Sequence, residues 1–221
     1  MQFPLRINKY LRDRGLASRR EADKLIADGK VFVNGKPAKT GMLVNDGDEV
    51  SVRGKEKKYT YLAYYKPRGL ATQALGDNES VITNWKEKGL FPVGRLDKMS
   101  EGLLILTNDG RLTTKLTGPD SKFEKEYIVN VAEGIREGIP EIFAKGMETK
   151  TFGKLLPAKA KIIARHTIRI VLHEGKHHQI RVMFGELGLT VTGIKRVRIG
   201  NVKLGNLRPG QTHEITCSTL G

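Results

Sequence analysis

The sequence predicts an α+β protein in two parts, a small unit of two helices with short strands followed by a larger α+β domain. Three observations carry this. Helical spacing of apolar residues governs the first thirty positions, and short strand-like apolar runs dominate the remainder of the chain. Turn signals such as Asn34-Gly35 and Asn108-Asp109-Gly110 punctuate those runs. A charged stretch without apolar residues, Gly54-Lys55-Glu56-Lys57-Lys58, reads as a linker. The expected boundaries are a unit over 1–53, a linker over 54–60 and a domain over 61–221.

In the first unit, Ile7, Tyr10 and Leu11 have helical spacing, and Gly15 can end that short helix. Ser18 with Glu21 matches a capping box, in which each side chain satisfies the other residue's free N–H. Ala22, Leu25 and Ile26 supply the buried face of a second helix, and Gly29 its stop. Val31-Phe32-Val33 then meets Asn34-Gly35, a strong hairpin signal. Val44 and Val50-Ser51-Val52 suggest further strands. The exposed helix face carries Arg6, Lys9, Arg12, Arg19, Arg20 and Lys24.

In the larger domain, strands are expected at Tyr61–Tyr65, Gly102–Thr107, Glu126–Val131, Lys159–Ala164, Thr167–Leu172 and Val197–Lys203. Ile180, Met183, Phe184 and Leu187 fall at i, i+3, i+4 and i+7, which predicts a helix over His178–Leu187.

Composition narrows the partners. The 221 residues are 38% hydrophobic and 29% charged, within the globular range. No apolar run approaches the roughly 18 residues that span a bilayer. The start, MQFPLRINKYLRD, has no stretch of signal-peptide length, so secretion is not expected and the cytoplasm is. Cys217 is the single cysteine, which excludes a disulfide scaffold and a multi-cysteine zinc site. A net charge of +15 favours a polyanionic partner. Residues 161–208 hold 10 basic and 2 acidic residues, which would face a nucleic-acid backbone if they share a surface.

Several catalytic fingerprints are missing: GxxxxGK[ST], GxGxxG and GxSxG. His173-Glu174-Gly175-Lys176-His177 does match HExxH, but that zinc chemistry needs both histidines one turn apart on a helix. Here Thr167–Leu172 alternates like a strand and Gly175 disfavours a helix interior, so strand, turn and helix are expected instead, without metal.

The most informative stretch runs from Phe91 to Gly110. Gly94 and Gly102 bracket a charged loop, and Leu103-Leu104-Ile105-Leu106 reads as a buried strand. A loop anchored to a core strand is a good platform for a reactive carboxylate. By pattern alone Asp97 is equally a turn residue.

Gly94-Arg95-Leu96-Asp97, followed by xxSxGLLILTNDG, closely resembles the GRLDxxTxGLLLLTNDG signature of the RsuA-type family of ribosomal RNA pseudouridine synthases. Tyr65-Lys66-Pro67-Arg68-Gly69 looks like that family's NKPxG segment, and Lys125-Glu126-Tyr127 like its KxY motif. Glu174 to Phe184 looks like its EGRNRQIRRMF segment. Residues 5–52 resemble the alpha-L RNA-binding domain that precedes the catalytic domain in this family. Departures are Met99 and Ser100 for an acidic residue and Thr, His177-His178 for Asn-Arg, and Val182 for Arg.

The resemblance implies a mixed, mostly antiparallel central sheet flanked by helices, and the isomerisation of a uridine in ribosomal RNA. It implies no cofactor and no metal, RNA as partner, and a monomer is expected. Asp97 would act on the sugar as nucleophile or base. Arg181 would be the cation beside Asp97, Tyr127 would stack on the flipped uracil, and Ile180 would wall the base. Arg95 would assist flipping and Lys66 would brace the loop. Arg6, Lys9, Arg19, Arg20 and Lys24 would bind RNA phosphates. The competing readings are a non-catalytic RNA-binding assembly factor of the same fold and a zinc peptidase.

Overall fold

The computed structural model describes residues 3–54, 58–73, 79–118, 121 and 123–220. These group into two compact units, Met1–Tyr59 with Asp109–Thr114 and Thr60–Asn108 with Lys115–Gly221. The linker expected at 54–60 falls partly on residues 55–57, outside the described set.

The first unit runs β1 (Leu5–Arg6), α1 (Ile7–Asp13), α2 (Arg19–Ala27), β2 (Val31–Val33), β3 (Lys36–Pro37), β4 (Leu43–Val44) and β5 (Val50–Val52). Ser18 Oγ accepts the Glu21 N–H at 3.3 Å, capping α2. Asn34 and Gly35 both have positive φ, 50° and 74°, as a two-residue turn twisted to match its strands requires. Ile7, Leu11, Ala17, Ala22, Ile26, Val31 and Val44 close the core of this unit. Arg6, Lys9, Arg19, Arg20 and Lys24 are all exposed. Arg12 instead pairs with Asp13.

The second unit supplies β6 (Tyr61–Lys66), α3 (Val81–Lys86), β7 (Phe91–Val93) and β8 (Glu101–Thr107), then α4 (Gly110–Thr117), which begins in the first. Next come β9 (Lys125–Val131), α5 (Ile139–Ala144), β10 (Glu148–Thr149), β11 (Gly153–Lys154), β12 (Lys159–Ala164) and β13 (Thr167–Leu172). The chain closes with α6 (Gln179–Glu186), β14 (Val191–Ile199), β15 (Val202–Lys203) and β16 (Thr212–Glu214), ending in a 3-10 turn at Cys217–Leu220. The central sheet has the order β12-β13-β9-β14-β8-β6-β16, with β15 beside β14 and β7 beside β8. Every pairing is antiparallel except β14 with β8. The fold is thus α+β, with a mixed and mostly antiparallel sheet. Leu103 to Leu106 are fully buried, because β8 lies inside the sheet with its continuous apolar run covered on both faces.

Two expectations need correction. The last long strand begins at Val191, not Val197, and breaks at Gly200 before β15. Thr190 to Gly193 lack the apolar run that marks a strand, and their pairing to β9 decides the matter. The basic stretch 161–208 does not present one cationic face. Buried Arg196 donates from Nε to the Leu103 carbonyl at 2.7 Å. Arg198 is held by Glu124 and Glu126 at 2.8 and 2.9 Å. Alternation along β14 turns some of its arginines inward, where they satisfy carbonyls and carboxylates rather than phosphates.

Candidate active site

Asp97 sits on the loop between β7 and β8, and backbone contacts fix that loop. Thr72 Oγ1 donates to the Leu96 carbonyl at 2.7 Å and accepts the Leu96 N–H at 3.0 Å, in a buried clasp next to Asp97. The Gly69 N–H donates to the Lys98 carbonyl at 2.8 Å, and the Ser100 N–H to that of Asp97 at 3.0 Å. Nothing in the sequence around Thr72 signals this role.

Behind the loop, Lys66 is fully buried at the end of β6. Its Nζ donates to the carbonyls of Pro67 and Leu70 at 2.9 and 2.6 Å, bracing the turn whose Gly69 holds Lys98. Burial pushes the Lys66 ammonium down to about 8; Asp97 and Glu101 oppose that shift, and Arg196 adds to it. Tyr65 donates its hydroxyl to Glu101 at 2.8 Å, and burial together with that carboxylate raises the phenol. Arg196, 4% exposed, also faces the cavity, and its Nη2 is buried with no partner among the described residues.

The last wall comes from the turn between β13 and α6. Gln179 Nε2 donates to Glu174 Oε1 at 2.8 Å, and Gln179 Oε1 accepts the Lys176 N–H at 2.9 Å, which knots the turn. His173 therefore follows the end of β13 and His177 lies in a turn, as expected for HExxH off a helix. His178 precedes α6 with φ 56° and ψ 21°, a left-handed backbone uncommon outside Gly, although Asn, Asp and His adopt it more often than other residues. This bend stacks its ring on that of His177, centroids 3.8 Å apart, and brings Nε2 to 3.6 Å from Asp97 Oδ1.

These elements enclose a cavity of about 910 Å³ lined by Asp97, Arg95, Tyr127, Ile180, Lys125 and Arg196, among others. Four of the six expected site residues, Asp97, Arg95, Tyr127 and Ile180, thus share one cavity. Lys66 lies outside its lining, beneath the loop. Arg181 is placed elsewhere. It does not line the cavity and makes no ion pair with Asp97; its Nη1 donates to the Val191 carbonyl at 3.2 Å. The position follows Ile180 on the side of α6 that meets the start of β14, so the guanidinium ties helix to strand. Sequence reasoning missed Thr72, Gln179, Arg196 and the approach of His178 to Asp97.

An RNA pseudouridylate synthase model matches residues 60–186, and an S4 domain model matches residues 5–50. An uncharacterized RNA pseudouridine synthase of Aquifex aeolicus is 37% identical over 96% of this chain and 93% of its own length. Ribosomal large subunit pseudouridine synthase B of Bacillus subtilis is 35% identical over 96% and 92%. The dual-specificity RNA pseudouridine synthase RluF of Escherichia coli is 37% identical over 98% and 77%. The crystal structure of a pseudouridylate synthase superposes with a TM-score of 0.72 at 28% identity, covering 98% of both chains. Matched by both family models and by these relatives over nearly its whole length, the chain belongs to the RsuA-type family of RNA pseudouridine synthases, isomerases in which an S4 domain precedes the synthase domain.

Proposed function

We propose that this protein converts a uridine of ribosomal RNA to pseudouridine, with Asp97 as the reacting carboxylate. The observation that carries the reading is Asp97 on a backbone-clamped loop, in one cavity with Tyr127 and Ile180. The nitrogen–sugar bond of the target breaks, the uracil turns, and its carbon-5 joins the anomeric carbon, with no net oxidation. Asp97 acts at the sugar, attacking the anomeric carbon or taking a proton from the neighbouring one. Tyr127 offers a ring to the flipped base, and Ile180 an apolar wall. Exposed Arg95 contacts the RNA as the base leaves its stack, and Lys66 holds the loop from beneath. The ribosomal substrate draws support from the name of the Bacillus subtilis relative, a large-subunit enzyme. Arg181 serves here as a positioning residue between α6 and β14.

The test is pseudouridine mapping of ribosomal RNA from cells with and without the gene, and with Asp97→Asn in its place. One uridine should lose its modification in both altered strains. An unchanged map would overturn the reading.

A further inference from the structure

Asp97, His177 and His178 bring one carboxylate oxygen and two imidazole nitrogens within 4.8 Å of one another at the cavity. We propose that these three residues form a binding site for a zinc-like divalent cation, and that its occupancy withdraws the reacting carboxylate and stops isomerisation. The inhibitory half rests on the role proposed for Asp97; the binding half does not.

The donor set fits the class of ion. Two imidazoles and a carboxylate suit Zn²⁺ and its neighbours, whereas Mg²⁺ and Ca²⁺ take oxygen donors. Geometry agrees as well. Bonds of roughly 2.0–2.1 Å to a tetrahedral ion place its donors about 3.3 Å apart, so the three atoms need close by no more than 1–2 Å, and both histidine side chains are exposed and free to do so. The left-handed backbone of His178 is what brings its ring alongside His177 and toward Asp97. Such strain persists only where surrounding structure imposes it, and the Glu174–Gln179 knot supplies that. Opposing the site are Lys66, Lys176 and Arg196, whose positive charge weakens cation binding without abolishing it. A micromolar rather than nanomolar constant is therefore expected. The HExxH pair is not the site: His173 lies beside Glu124 at 3.9 Å, and only His177 is shared.

Metal-stripped full-length protein, titrated with ZnCl₂ by calorimetry and with CoCl₂ by absorption, tests the binding half. One equivalent should bind, and Asp97→Asn and His178→Arg should each weaken it at least tenfold. Isomerisation of the mapped RNA should fall as zinc fills the site and return with EDTA. In the His177→Asn/His178→Arg protein, which carries the residues usual in the family, zinc should leave the rate at its own metal-free value. No binding below millimolar zinc, or an affinity unmoved by Asp97→Asn and His178→Arg, would overturn the site. If Asp97→Asn loses zinc yet still isomerises, the site stands, and both the inhibition and the catalytic role of Asp97 fall. If it is inactive with zinc affinity intact, the catalytic role stands and the site falls.

Discussion

Replacing Asp97 by Asn removes one negative charge from a chain carrying +15, so attraction to RNA phosphates does not weaken. Neighbouring carboxylates are already engaged, Glu174 of the cavity lining by Gln179. Glu101 already accepts the Tyr65 hydroxyl, and Asp109 is held by Arg111. Asp97→Asn should therefore keep RNA affinity and lose at least about 100-fold in turnover, read by pairing a binding assay with pseudouridine yield. Lys66 makes a different prediction. Its ammonium falls from 10.5 to about 8 on folding, so the folded protein holds that proton less tightly than the unfolded chain does. Between pH 8 and 10.5 the unfolded chain binds more protons, and stability rises with pH by up to about 1.4 kcal/mol per unit from this group. Below pH 8 the burial penalty is present in full. Lys66→Met should flatten that rise, as urea denaturation of both proteins at pH 8, 9 and 10 will read. It should also slow turnover, because the Pro67 and Leu70 carbonyls lose the donor that braces the loop.

At the scale of elements, the parallel meeting of β8 with β14 depends on one glycine. Gly102 has φ 106°, and a Cβ there would stand 2.3 Å from the Arg196 carbonyl oxygen. Gly102→Ala should cost at least about 2 kcal/mol in unfolding free energy, since both backbone strain and a clash with main-chain atoms must be relieved. Chemical denaturation measures it. The same strand marks how far the sequence could be read. Leu103 to Leu106 form an unbroken apolar run, so β8 was legible, as were α1, α2, α6 and the Asn34-Gly35 turn, whose signals are local. The start of β14 was not, because Thr190 to Gly193 become strand only through β9. The contact of Arg181 with Val191 was not legible for a related reason: the resemblance implies a place beside Asp97, whereas this partner is set by where β14 starts. His178 escaped notice because histidine only modestly favours a left-handed backbone and nothing adjacent in sequence marks its approach to Asp97.

At the scale of the molecule, the positive charge has two destinations. Arg196 and Arg198 work inside the sheet, while Arg19, Arg20 and Lys24 stand exposed on α2. The triple replacement of those three by Ala should weaken RNA binding and flatten its dependence on salt. Removing one phosphate interaction lowers the slope of log K against log salt by about 0.7–0.9. Substitution is the cleaner test than removal of 1–53, because Asp109–Thr114 belongs to the same compact unit and would lose its partners. Titrations at several salt concentrations decide, and an unchanged slope would mean that α2 does not touch RNA.

The parallel pairing of β8 with β14 also orders events during synthesis. β8 ends at Thr107 and β14 begins only at Val191, so at usual elongation rates on the order of ten seconds separate the two as the chain emerges. Over that interval the β8 edge that β14 will cover has no strand of its own chain to pair with, since β6 and β7 take its other pairings. The cavity wall from Leu172 to Ile180 is made shortly before β14, and that from Ile194 to Ile199 with it. The loop that carries Asp97 is therefore made well before the segments that complete the cavity around it.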